Sequence, residues 1–459
     1  MAKPDLIAGE IRSAVLRRSF RKAYPEAVRG EGVYLWDGDG RRYLDFSGSA
    51  AVNFIGHGVR EISAAMSRQA GMLEFVHSSQ FSTSVAEQYA QELLEFAGEN
   101  FRGGAVYFTC GGSEAVETAL KLARQYQVEI GHGERYQILS REQSYHGATL
   151  GAVSVSGNRR RREMYRPMVK EFAHIGYPYC YRCAYDCTDG CRNCGQQYAA
   201  QLEQAVEKVQ GAAAAFICEP VSGATLGAVT PPPGYLQSIA EICRRHGVLF
   251  IADEVMTGMG RTGRNFAVEH WQAAPDILVA AKGLSSGYAP LGAVIANQRT
   301  VEAIAAGSGA FLHGFTYNAH PVSLAAGRAV LAHLQRSRLV QAADSAQPGT
   351  PAQELQWSLR SLLDSPVVGD VRGLGLLWGV EFVAQKSSKK PFPADLNFAG
   401  RVAQAALQRG LLVYPMQGCV DGISGDHLLI APPAVITAEQ IQWSLEQLRA
   451  AVEEPARQT

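Results

Sequence analysis

Short apolar stretches of strand length alternate with helical hydrophobic patterns along most of this chain, from Ile62 to Val330. Such an alternation requires a mostly parallel sheet with helices packed on its faces, because each strand reaches the next through a helical crossover. We therefore predict an α/β domain over residues 61–330.

Beyond that region the pattern of hydrophobic and polar residues changes. A polar linker at residues 341–354 separates the α/β region from strand-like stretches at residues 371–382 and 411–415. This change predicts a second, smaller α+β domain over residues 331–459.

Two of the predicted strands end on charged residues. The apolar run 277–281 is followed by Lys282, and the run 248–252 is followed by Asp253. Ligands of an open parallel sheet bind beyond the carboxyl ends of its strands, so both side chains are expected at one edge. A buried lysine can act as a nucleophile toward a carbonyl, and a carboxylate can keep a ring nitrogen protonated. Taken alone, Lys282 could instead be a lysine that emerges into water at a strand end. Asp253 could instead be an aspartate that caps a helix.

A glycine-containing turn links a third strand to a helix. Residues 105–109 read as a strand, Gly111, Gly112 and Ser113 follow, and apolar residues then recur at helical spacing. Free backbone N–H groups at such a helix start favour a phosphate. A phosphate site, a strand-end aspartate and a strand-end lysine in one α/β chain together indicate pyridoxal phosphate as the cofactor.

Ordered motifs over nearly the whole chain resemble the class III (omega-type) aminotransferases, which are pyridoxal-phosphate enzymes of fold type I. The resemblance implies a large domain with a mostly parallel sheet of the seven-stranded type. It also implies a small domain built from both chain ends, so that residues 1–60 pack with the C-terminal part. The motifs are Tyr34-Leu35-Trp36-Asp37, Asp45-Phe46-Ser47-Gly48, Gly56-His57-Gly58, Ser144-Tyr145-His146-Gly147, Glu219-Pro220-Val221-Ser222-Gly223, Pro232-Pro233-Gly234-Tyr235, Ala252-Asp253-Glu254-Val255-Met256-Thr257-Gly258, Gly260-Arg261-Thr262-Gly263, Lys282-Gly283-Leu284 and Ala431-Pro432-Pro433.

The resemblance assigns the central roles to two residues. Lys282 would hold the cofactor as a Schiff base and would later move a proton between the substrate carbon and the cofactor. Asp253 would pair with the pyridinium nitrogen. The stretch Cys110-Gly111-Gly112-Ser113 matches the phosphate turn, where the family more often has Asn-Ser-Gly-Ser, so a hydroxyl is lost at position 111 while the backbone donors remain.

Five further residues are implied around the cofactor. Tyr145 and Val255 resemble the residues on the two faces of the ring, and His146 is expected to support the loop rather than the chemistry. Glu219 resembles a glutamate near the cofactor's O3 side. Thr316 resembles a residue that reaches the phosphate of the neighbouring subunit, which implies a homodimer with shared active sites.

The preference for an amino donor is predicted from one position at which this sequence differs from the usual family motif. Many family members that act on alpha-amino acids have Arg-x-Ala-Pro-Pro, whereas this chain has Leu429 before Ile430-Ala431-Pro432-Pro433. The usual carboxylate anchor is therefore missing, which favours an amine or a beta- or omega-amino acid as donor. The arginines at 159–162 are candidates to bind a substrate carboxylate, although such a run is more typical of a solvated face.

Five of the nine cysteines fall between residues 180 and 194. The pairs Cys180/Cys183 and Cys191/Cys194 are the knuckles of a tetrahedral thiolate site, so we predict structural zinc on these four in an insertion over about residues 178–195. The knuckles are closer together than the usual ~15–20 residues, and Cys187 is a surplus thiol. Free thiols and disulfides are the alternatives.

The composition is that of an ordinary globular protein. The 459 residues are 47% hydrophobic and 19% charged, and 43 basic side chains balance 43 acidic ones. Zero net charge provides no basic field for nucleic acid. Since no apolar run approaches the ~18 residues of a membrane span and the N-terminus lacks a signal-peptide core, we expect a cytoplasmic protein without membrane or nucleic-acid partners.

The predicted reaction moves an amino group from an amine or omega/beta-amino acid to a keto acid, pyruvate or 2-oxoglutarate, in a ping-pong cycle through pyridoxamine phosphate. An aminomutase, racemase or decarboxylase of the same fold would keep the lysine and the aspartate. A non-catalytic cofactor-binding protein would have lost them, whereas Lys282, Asp253 and Tyr145 are intact.

Overall fold

The structure, a computed structural model, describes residues 14–20, 24–185, 187, 191 and 193–457. These residues form three β-sheets. The strands are β1 (Ala27–Glu31), β2 (Tyr34–Asp37), β3 (Arg42–Asp45), β4 (Ala105–Thr109), β5 (Gln137–Arg141), β6 (His174–Ile175), β7 (Ala213–Cys218), β8 (Leu249–Asp253), β9 (Ile277–Ala280), β10 (Gly292–Ala296), β11 (Val368–Leu374), β12 (Leu377–Phe382), β13 (Leu411–Leu412), β14 (Tyr414–Gln417) and β15 (Asp426–Ile430).

Helices cover both faces of the largest sheet and one side of the smaller ones. The α-helical segments are α1 (Gly48–Ala51), α2 (Arg60–Met72), α3 (Ser84–Ala97), α4 (Gly112–Glu129), α5 (Leu150–Val155), α6 (Arg159–Arg162), α7 (Cys194–Lys208), α8 (Tyr235–His246), α9 (Gln298–Ala306), α10 (Pro321–Arg336), α11 (Leu339–Ala342), α12 (Pro351–Arg360), α13 (Phe398–Gln408) and α14 (Ala438–Ala456). Short 3-10 helices are Glu99–Phe101, Glu163–Met168, Cys180–Arg182, Ala267–Trp271, Lys282–Leu284, Ser361–Asp364 and Ala394–Leu396. Among the described residues, none of the helices combines the length and the apolar character that crossing a bilayer demands.

The central sheet has seven strands in the order β4-β10-β9-β8-β7-β5-β6. Strand β10 runs antiparallel to both of its neighbours, and the other registered pairs are parallel. Every residue of β7, β8 and β9 is buried, which explains why these strands read as continuous apolar runs. The prediction of an α/β fold with a mostly parallel seven-stranded sheet is therefore confirmed.

The two chain ends meet in the smaller part of the molecule. Strand β3 pairs in parallel with β13 from the C-terminal region, through Leu44 with Leu411 and Asp45 with Leu412. A second sheet in the order β11-β12-β15-β14 is antiparallel throughout. The pairing of β3 with β13 therefore joins the N-terminal strands to the C-terminal region in one sheet.

The segment Gly48–Ala51 is a left-handed turn rather than an ordinary helix. Its four residues have φ between 51° and 64°, although three of them carry a side chain. Asp45 holds this turn: its carboxylate accepts hydrogen bonds from the Ser49 backbone N–H at 2.9 Å and the Ser49 hydroxyl at 2.8 Å. Left-handed backbone costs about 1–2 kcal/mol per L-residue, so these hydrogen bonds offset a real strain.

Arg261 connects the same region to the C-terminal strands. Its guanidinium donates to the carbonyl oxygens of Asn53 (2.9 Å), Ala431 (3.1 Å) and Pro432 (2.6 Å), and its side chain is buried. Three carbonyl groups from distant parts of the chain are thereby satisfied by one planar donor. The loop after β8 therefore fixes both the N-terminal turn and the end of β15.

We expect Asp45→Asn to lower the melting temperature at neutral pH by about 1–3 °C, because it weakens the hydrogen bonds that hold the left-handed turn. Burial raises the pKa of Asp45, but hydrogen bonds from His57 and Ser49 outweigh it, and the net pKa is lowered. A carboxyl with a lowered folded pKa stabilises the protein above its unfolded pKa, and this contribution is lost as the pH falls through the folded pKa.

Thermal melts of both proteins at several pH values provide the measurement. The difference between wild type and Asp45→Asn should be largest near pH 7 and should shrink toward acidic pH. Asp39→Asn, at an exposed position of the neighbouring turn, is the matched control and should melt like wild type. Equal melting temperatures of wild type and Asp45→Asn at pH 7 would contradict the role of Asp45.

Candidate active site

A cavity of about 430 Å³ opens where the carboxyl ends of β4, β7, β8 and β9 meet. This is the edge at which a parallel sheet binds its ligands. The structure brings nine of the predicted cofactor residues to the lining of this cavity: Gly111, Gly112, Ser113, Tyr145, His146, Glu219, Asp253, Val255 and Lys282.

Lys282 lies directly beyond β9, with its Nζ 3.2 Å from the carbonyl oxygen of Ala50, to which it donates. Its φ is 43°, an uncommon conformation for a residue with a side chain, and such strain is concentrated at functional sites. Burial lowers the pKa of the Lys282 amine to about 8, while the negative charge of Asp253 opposes the shift. The amine is therefore partly neutral near physiological pH and can act as a nucleophile or a base.

Asp253 is the last residue of β8, and it is 4% exposed. One carboxylate oxygen lies 2.7 Å from Nδ1 of His146, and the other accepts the backbone N–H of Val255 at 3.1 Å. His146 is fully buried and its Nε2 has no hydrogen-bond partner among the described residues. His146 therefore orients the carboxylate, a closer relation to the site than the loop support expected from the sequence.

Glu219 follows β7 and is buried beside Arg141, the last residue of β5. Its Oε1 accepts the backbone N–H of Gly223 at 2.9 Å, and Arg141 Nη2 lies 3.9 Å from Oε2. Burial raises the pKa of Glu219, and the charges of His146 and Arg141 partly oppose this effect. Oε2 has no hydrogen-bond partner among the described residues, so it is a buried acceptor that a ligand atom would satisfy.

The turn between β4 and α4 has the form of an anion site. Helix α4 begins at Gly112 and is 18 residues long, so its first N–H groups have no intrahelical acceptor and its dipole favours a negative charge. A Cβ added at Gly112 would lie 3.0 Å from a methyl carbon of Val255, which shows why glycine suits this close approach. The Ser113 hydroxyl accepts the backbone N–H of Ala148 at 3.0 Å, and this bond ties the turn to the loop of Tyr145.

Two side chains define the width of the cavity. Tyr145 and Val255 both line it, as the resemblance implies for the two faces of a ring. The guanidinium of Arg161, from helix α6, lies 4.2 Å from the centroid of the Tyr145 ring. This cation–π contact holds Arg161 at the cavity. Arg159 and Arg160 are exposed, as expected for a solvated helix face.

These groups fit pyridoxal phosphate. The cofactor has an aldehyde, a ring nitrogen and a phosphate, and the cavity offers an amine, a buried carboxylate and a helix N-terminus for them. The buried acceptor of Glu219 is available for a further polar atom. The donor set therefore matches the cofactor that the strand-end pattern indicates.

Thr316 is not part of this cavity in its own chain. It is exposed, and the carbonyl oxygen of its neighbour Tyr317 lies 3.6 Å from the Cys110 thiol on the outer side of the phosphate turn. The predicted contact of Thr316 is one to another subunit, so a single chain does not test it.

Several residues of the site escape sequence reasoning. Ala50, which accepts from Lys282, and Arg18 both come from the N-terminal region and line the cavity. The motif around Asp45 marks the turn that presents Ala50, but its left-handed backbone has no sequence pattern. Arg18 lies in a polar stretch without any signal for a site.

Leu429 lies on β15 and is completely buried. It packs in a small apolar cluster with Val221 and Ala224, both of which line the cavity, and it is paired across the sheet with the lining residue Tyr414. Leu429, which stands where many family members have an arginine, therefore lies behind an apolar wall of the cavity rather than a charged one.

The cysteine insertion lies away from the cavity. Sulfur atoms of Cys183, Cys187, Cys191 and Cys194 all lie within 4.8 Å of one another. The sequence prediction named Cys180 rather than Cys187, whereas Cys180, in a 3-10 helix, is exposed and is not a member of this cluster. None of the nine cysteines, all of which are among the described residues, forms a disulfide.

Comparison with known proteins gives a consistent assignment. The family model of class III aminotransferases matches residues 18–452. The chain is 38% identical to an uncharacterised aminotransferase of Bacillus subtilis over 94% of this chain and 95% of that one, and 34% identical to the diaminobutyrate–2-oxoglutarate transaminase of Halomonas elongata over 92% and 89%. The crystal structure of an (S)-enantioselective omega-transaminase from Thermomicrobium roseum has a TM-score of 0.86 at 36% identity, with 95% and 93% of the chains covered. The chain therefore belongs to the class III aminotransferases and is a transaminase of fold type I.

Proposed function

We propose that this enzyme transfers an amino group from an amine, or from a beta- or omega-amino acid, to a keto acid such as pyruvate or 2-oxoglutarate in two half-reactions of ping-pong type. The observation that carries the proposal is the juxtaposition of the desolvated Lys282 amine and the buried Asp253 in a cavity backed by the apolar Leu429. The likeness to omega-transaminases and to a 2-oxoglutarate transaminase supports the choice of donor and acceptor.

Family membership implies pyridoxal phosphate, which when bound supplies a carbonyl that captures amines and a ring that accepts electrons from the breaking bond. In our proposal Lys282 would hold its aldehyde carbon, Asp253 would pair with its ring nitrogen, and the first turn of α4 would hold its phosphate. Tyr145 and Val255 would confine the ring, and Glu219 would accept a hydrogen bond from a polar atom of the cofactor.

Lys282 has a second task as the base. When a substrate amine has freed Lys282, its amine would accept a proton from the substrate carbon and would deliver it to the cofactor carbon that Lys282 had held. Burial prepares this amine, because its pKa near 8 leaves a substantial neutral fraction at neutral pH. The Ala50 carbonyl holds Nζ in place by its hydrogen bond at 3.2 Å, so that the base stays within the cavity.

His146 and Asp253 act together. A buried carboxylate needs hydrogen bonds to remain charged, and it receives one from the Val255 amide and one from the Nδ1–H tautomer of His146. The charged Asp253 then keeps a bound ring nitrogen protonated, which strengthens the electron sink. His146 is therefore a positioning residue for Asp253.

Keto acid acceptors carry a carboxylate that needs a cationic partner. Arg18 and Arg161 are the arginines among the residues that line the cavity. Arg161 is held by its stacking on Tyr145, next to the place where the ring is expected, so its orientation costs little entropy on binding. We propose Arg161 as the group that binds the acceptor carboxylate.

A homodimer is part of the proposal. The segments 72–81 and 311–320 are joined through an edge contact of Phe75 with Tyr317 and expose large apolar side chains. Leu312 is 80% exposed and Met72 is 81% exposed. An apolar surface of this kind beside the phosphate turn suits burial against a second copy, in which Thr316 would reach the partner's cavity.

The cysteine insertion has no part in the proposed chemistry. Its thiols are separated from the cavity, and four sulfur ligands would leave a metal no open position for a substrate. Any metal held there is structural.

The proposal is tested by incubating the purified holoenzyme with an apolar amine, an omega-amino acid or alanine, each with pyruvate or 2-oxoglutarate. We expect stoichiometric formation of the aminated acceptor. With a donor alone, about one equivalent of carbonyl product per active site should form and the reaction should then stop, as a ping-pong cycle requires. Release of carbon dioxide, or isomerisation of an amino acid without an acceptor, would overturn the proposal.

We expect Lys282→Ala to abolish turnover while the protein remains folded and still binds the cofactor without a covalent bond, because the phosphate turn and Asp253 are untouched. Borohydride reduction of the wild-type holoprotein should label Lys282 alone, and the rate of labelling of apoprotein supplied with the cofactor should rise with pH through about 8 as the amine loses its proton. Lys121→Ala, at an exposed position of α4, is the control. A peptide map with the label on another lysine would refute the assignment.

We expect Arg161→Leu to raise the KM of the keto acid acceptor by roughly 10–100-fold, since a hydrogen bond to a charged group is worth about 1.5–3 kcal/mol. The half-reaction with an apolar amine should change much less. Arg160→Leu is the matched control, because Arg160 lies in the same helix but contacts Gln417 and does not line the cavity. Equal effects of the two substitutions on the acceptor KM would contradict the role of Arg161.

Leu429→Arg should shift relative kcat/KM toward alanine and away from apolar amines, because a guanidinium at this wall would be left unpaired by an apolar ligand. Leu429→Met preserves the apolar wall and should retain the wild-type preference. Steady-state kinetics with an apolar amine, an omega-amino acid and alanine provide the comparison. A wild-type enzyme that already prefers alpha-amino acids by a wide margin would defeat the argument.

A further inference from the structure

We propose that Cys183, Cys187, Cys191 and Cys194 bind one zinc ion, and that this ion fixes a brace between the cysteine insertion and the strands of the small domain. The site is separate from the catalytic cavity. It is formed by residues that surround the start of helix α7.

The geometry of the sulfur atoms suits a tetrahedral ion. Zinc–sulfur bonds of ~2.3 Å require sulfur–sulfur distances of about 3.8 Å at the edges of the tetrahedron. The four sulfur atoms lie within 4.8 Å of one another, and those of Cys183 and Cys187 are 3.3 Å apart. These separations bracket the tetrahedral edge, so small side-chain adjustments close the site.

Neighbouring groups of the fold hold the sulfur atoms in place. Cys194 is the first residue of α7 and is buried. The hydroxyl of Tyr198, one turn along the same helix, donates to the Cys183 sulfur at 3.7 Å and accepts the backbone N–H of Ala184 at 2.9 Å. Such outer contacts orient the sulfur ligands of a metal.

The position of α7 is itself fixed. A Cβ added at Gly195 would lie 2.2 Å from the carbonyl oxygen of Pro233, so the first turn of the helix is pressed against the loop before α8. Cys191 and Cys194 are buried there. Half of the site is therefore anchored to the large domain, and the ion would tie Cys183 and Cys187 to this anchor.

Binding releases protons in a balanced step. Zinc ion and four neutral thiols give a tetrathiolate zinc centre and four protons, without any change in oxidation state. A tetrahedral set of four sulfur ligands is typical of zinc or of iron. We assign zinc, because all four ligands are protein thiolates and such a closed tetrahedral set is the usual structural zinc site.

The insertion reaches the small domain through one buried carboxylate. Arg182, adjacent to Cys183, donates from Nε (2.8 Å) and Nη2 (2.6 Å) to Glu381 of β12, whose side chain is completely buried. Arg372 of β11 donates to the other oxygen of Glu381 at 2.9 Å, and Tyr179 also donates to Glu381. We define these side chains, Tyr179, Arg182, Arg372 and Glu381, as the brace.

The brace continues to the wall of the catalytic cavity. Arg372 donates from Nη2 to the carbonyl oxygen of Leu226, and the preceding residues Gly223 and Ala224 line the cavity. A buried ion cluster that loses one partner is strongly destabilised, because a charge is left unpaired. Since the ion would fix Cys183, and thereby the adjacent Arg182, loss of the ion is expected to loosen this wall as well as the insertion.

Elemental analysis of holoenzyme purified without added metal tests the site. We expect about one zinc per chain in the wild type, as a single four-sulfur site holds one ion. Cys187→Ala should reduce the zinc content severalfold, whereas Cys180→Ala, at an exposed cysteine of the same insertion, should retain it. Loss of zinc in Cys180→Ala with retention in Cys187→Ala, or stoichiometric iron in place of zinc, would overturn the assignment.

A second experiment removes the ion from the wild-type protein, so that the zinc site can be tested even if a cysteine variant fails to fold. Treatment with a mercurial thiol reagent should release one zinc as the four thiols of the site react alongside the accessible thiols of Cys110 and Cys180, and the melting temperature should fall. In Cys187→Ala the KM for the donor should rise more than kcat falls, and Arg182→Gln should reproduce this split while it retains zinc. A native protein that lacks zinc and has four freely titrating thiols, or a mass that is lower by the hydrogens of two disulfides, would refute the proposal.

This experiment distinguishes the metal site from the proposed transamination. Zinc content and thiol titration do not depend on which donor or acceptor the enzyme uses. A wrong donor class would therefore leave the metal result unchanged, and a metal-free protein would leave the chemistry of Lys282 in place.

Discussion

The structure depends on the burial of one amine. In the proposed function Lys282 must leave water to become a nucleophile, and desolvation of an ammonium is costly unless its pKa falls or a partner is supplied. The protein does both, through an enclosed cavity, the Ala50 carbonyl and the charge of Asp253. Each of these requires a different part of the chain to be in place, so the catalytic chemistry and the tertiary fold are tied to the same residue.

The left-handed turn at Gly48–Ala51 follows from that requirement. An ordinary right-handed turn would direct its carbonyl groups differently, and the strain is tolerated because Asp45 holds the turn by hydrogen bonds to Ser49. Arg261 then joins the N-terminal region to the end of β15 through the carbonyl groups of Asn53 and Pro432. Residues near both chain ends also line the cavity, namely Arg18, Ala50, Val52 and Tyr414.

The sequence predicts features that are formed by residues close together along the chain, but not contacts between residues that are far apart along it. Lys282, Asp253 and the turn at Gly111–Ser113 could be predicted, because each follows an apolar strand and parallel strands end at one edge. The partners of Arg182 and Arg261 could not, since their acceptors lie more than 160 residues away along the chain. The choice of Cys187 over Cys180 likewise depends on how a short insertion folds back, which spacing alone does not determine.

Different parts of the cavity suit the reaction itself and the choice of substrate. Its floor, with Lys282 and Asp253, serves any reaction that needs a captured amine and an electron sink. The choice of substrate falls to the wall, where the apolar Leu429 cluster lies behind the lining and Arg161 stacks on Tyr145. An apolar surface and one oriented cation in the same cavity suit two substrates in turn, an amine without a nearby carboxylate and an acceptor that carries one. The proposed ping-pong cycle needs this dual character, because both substrates would use the same space at different times.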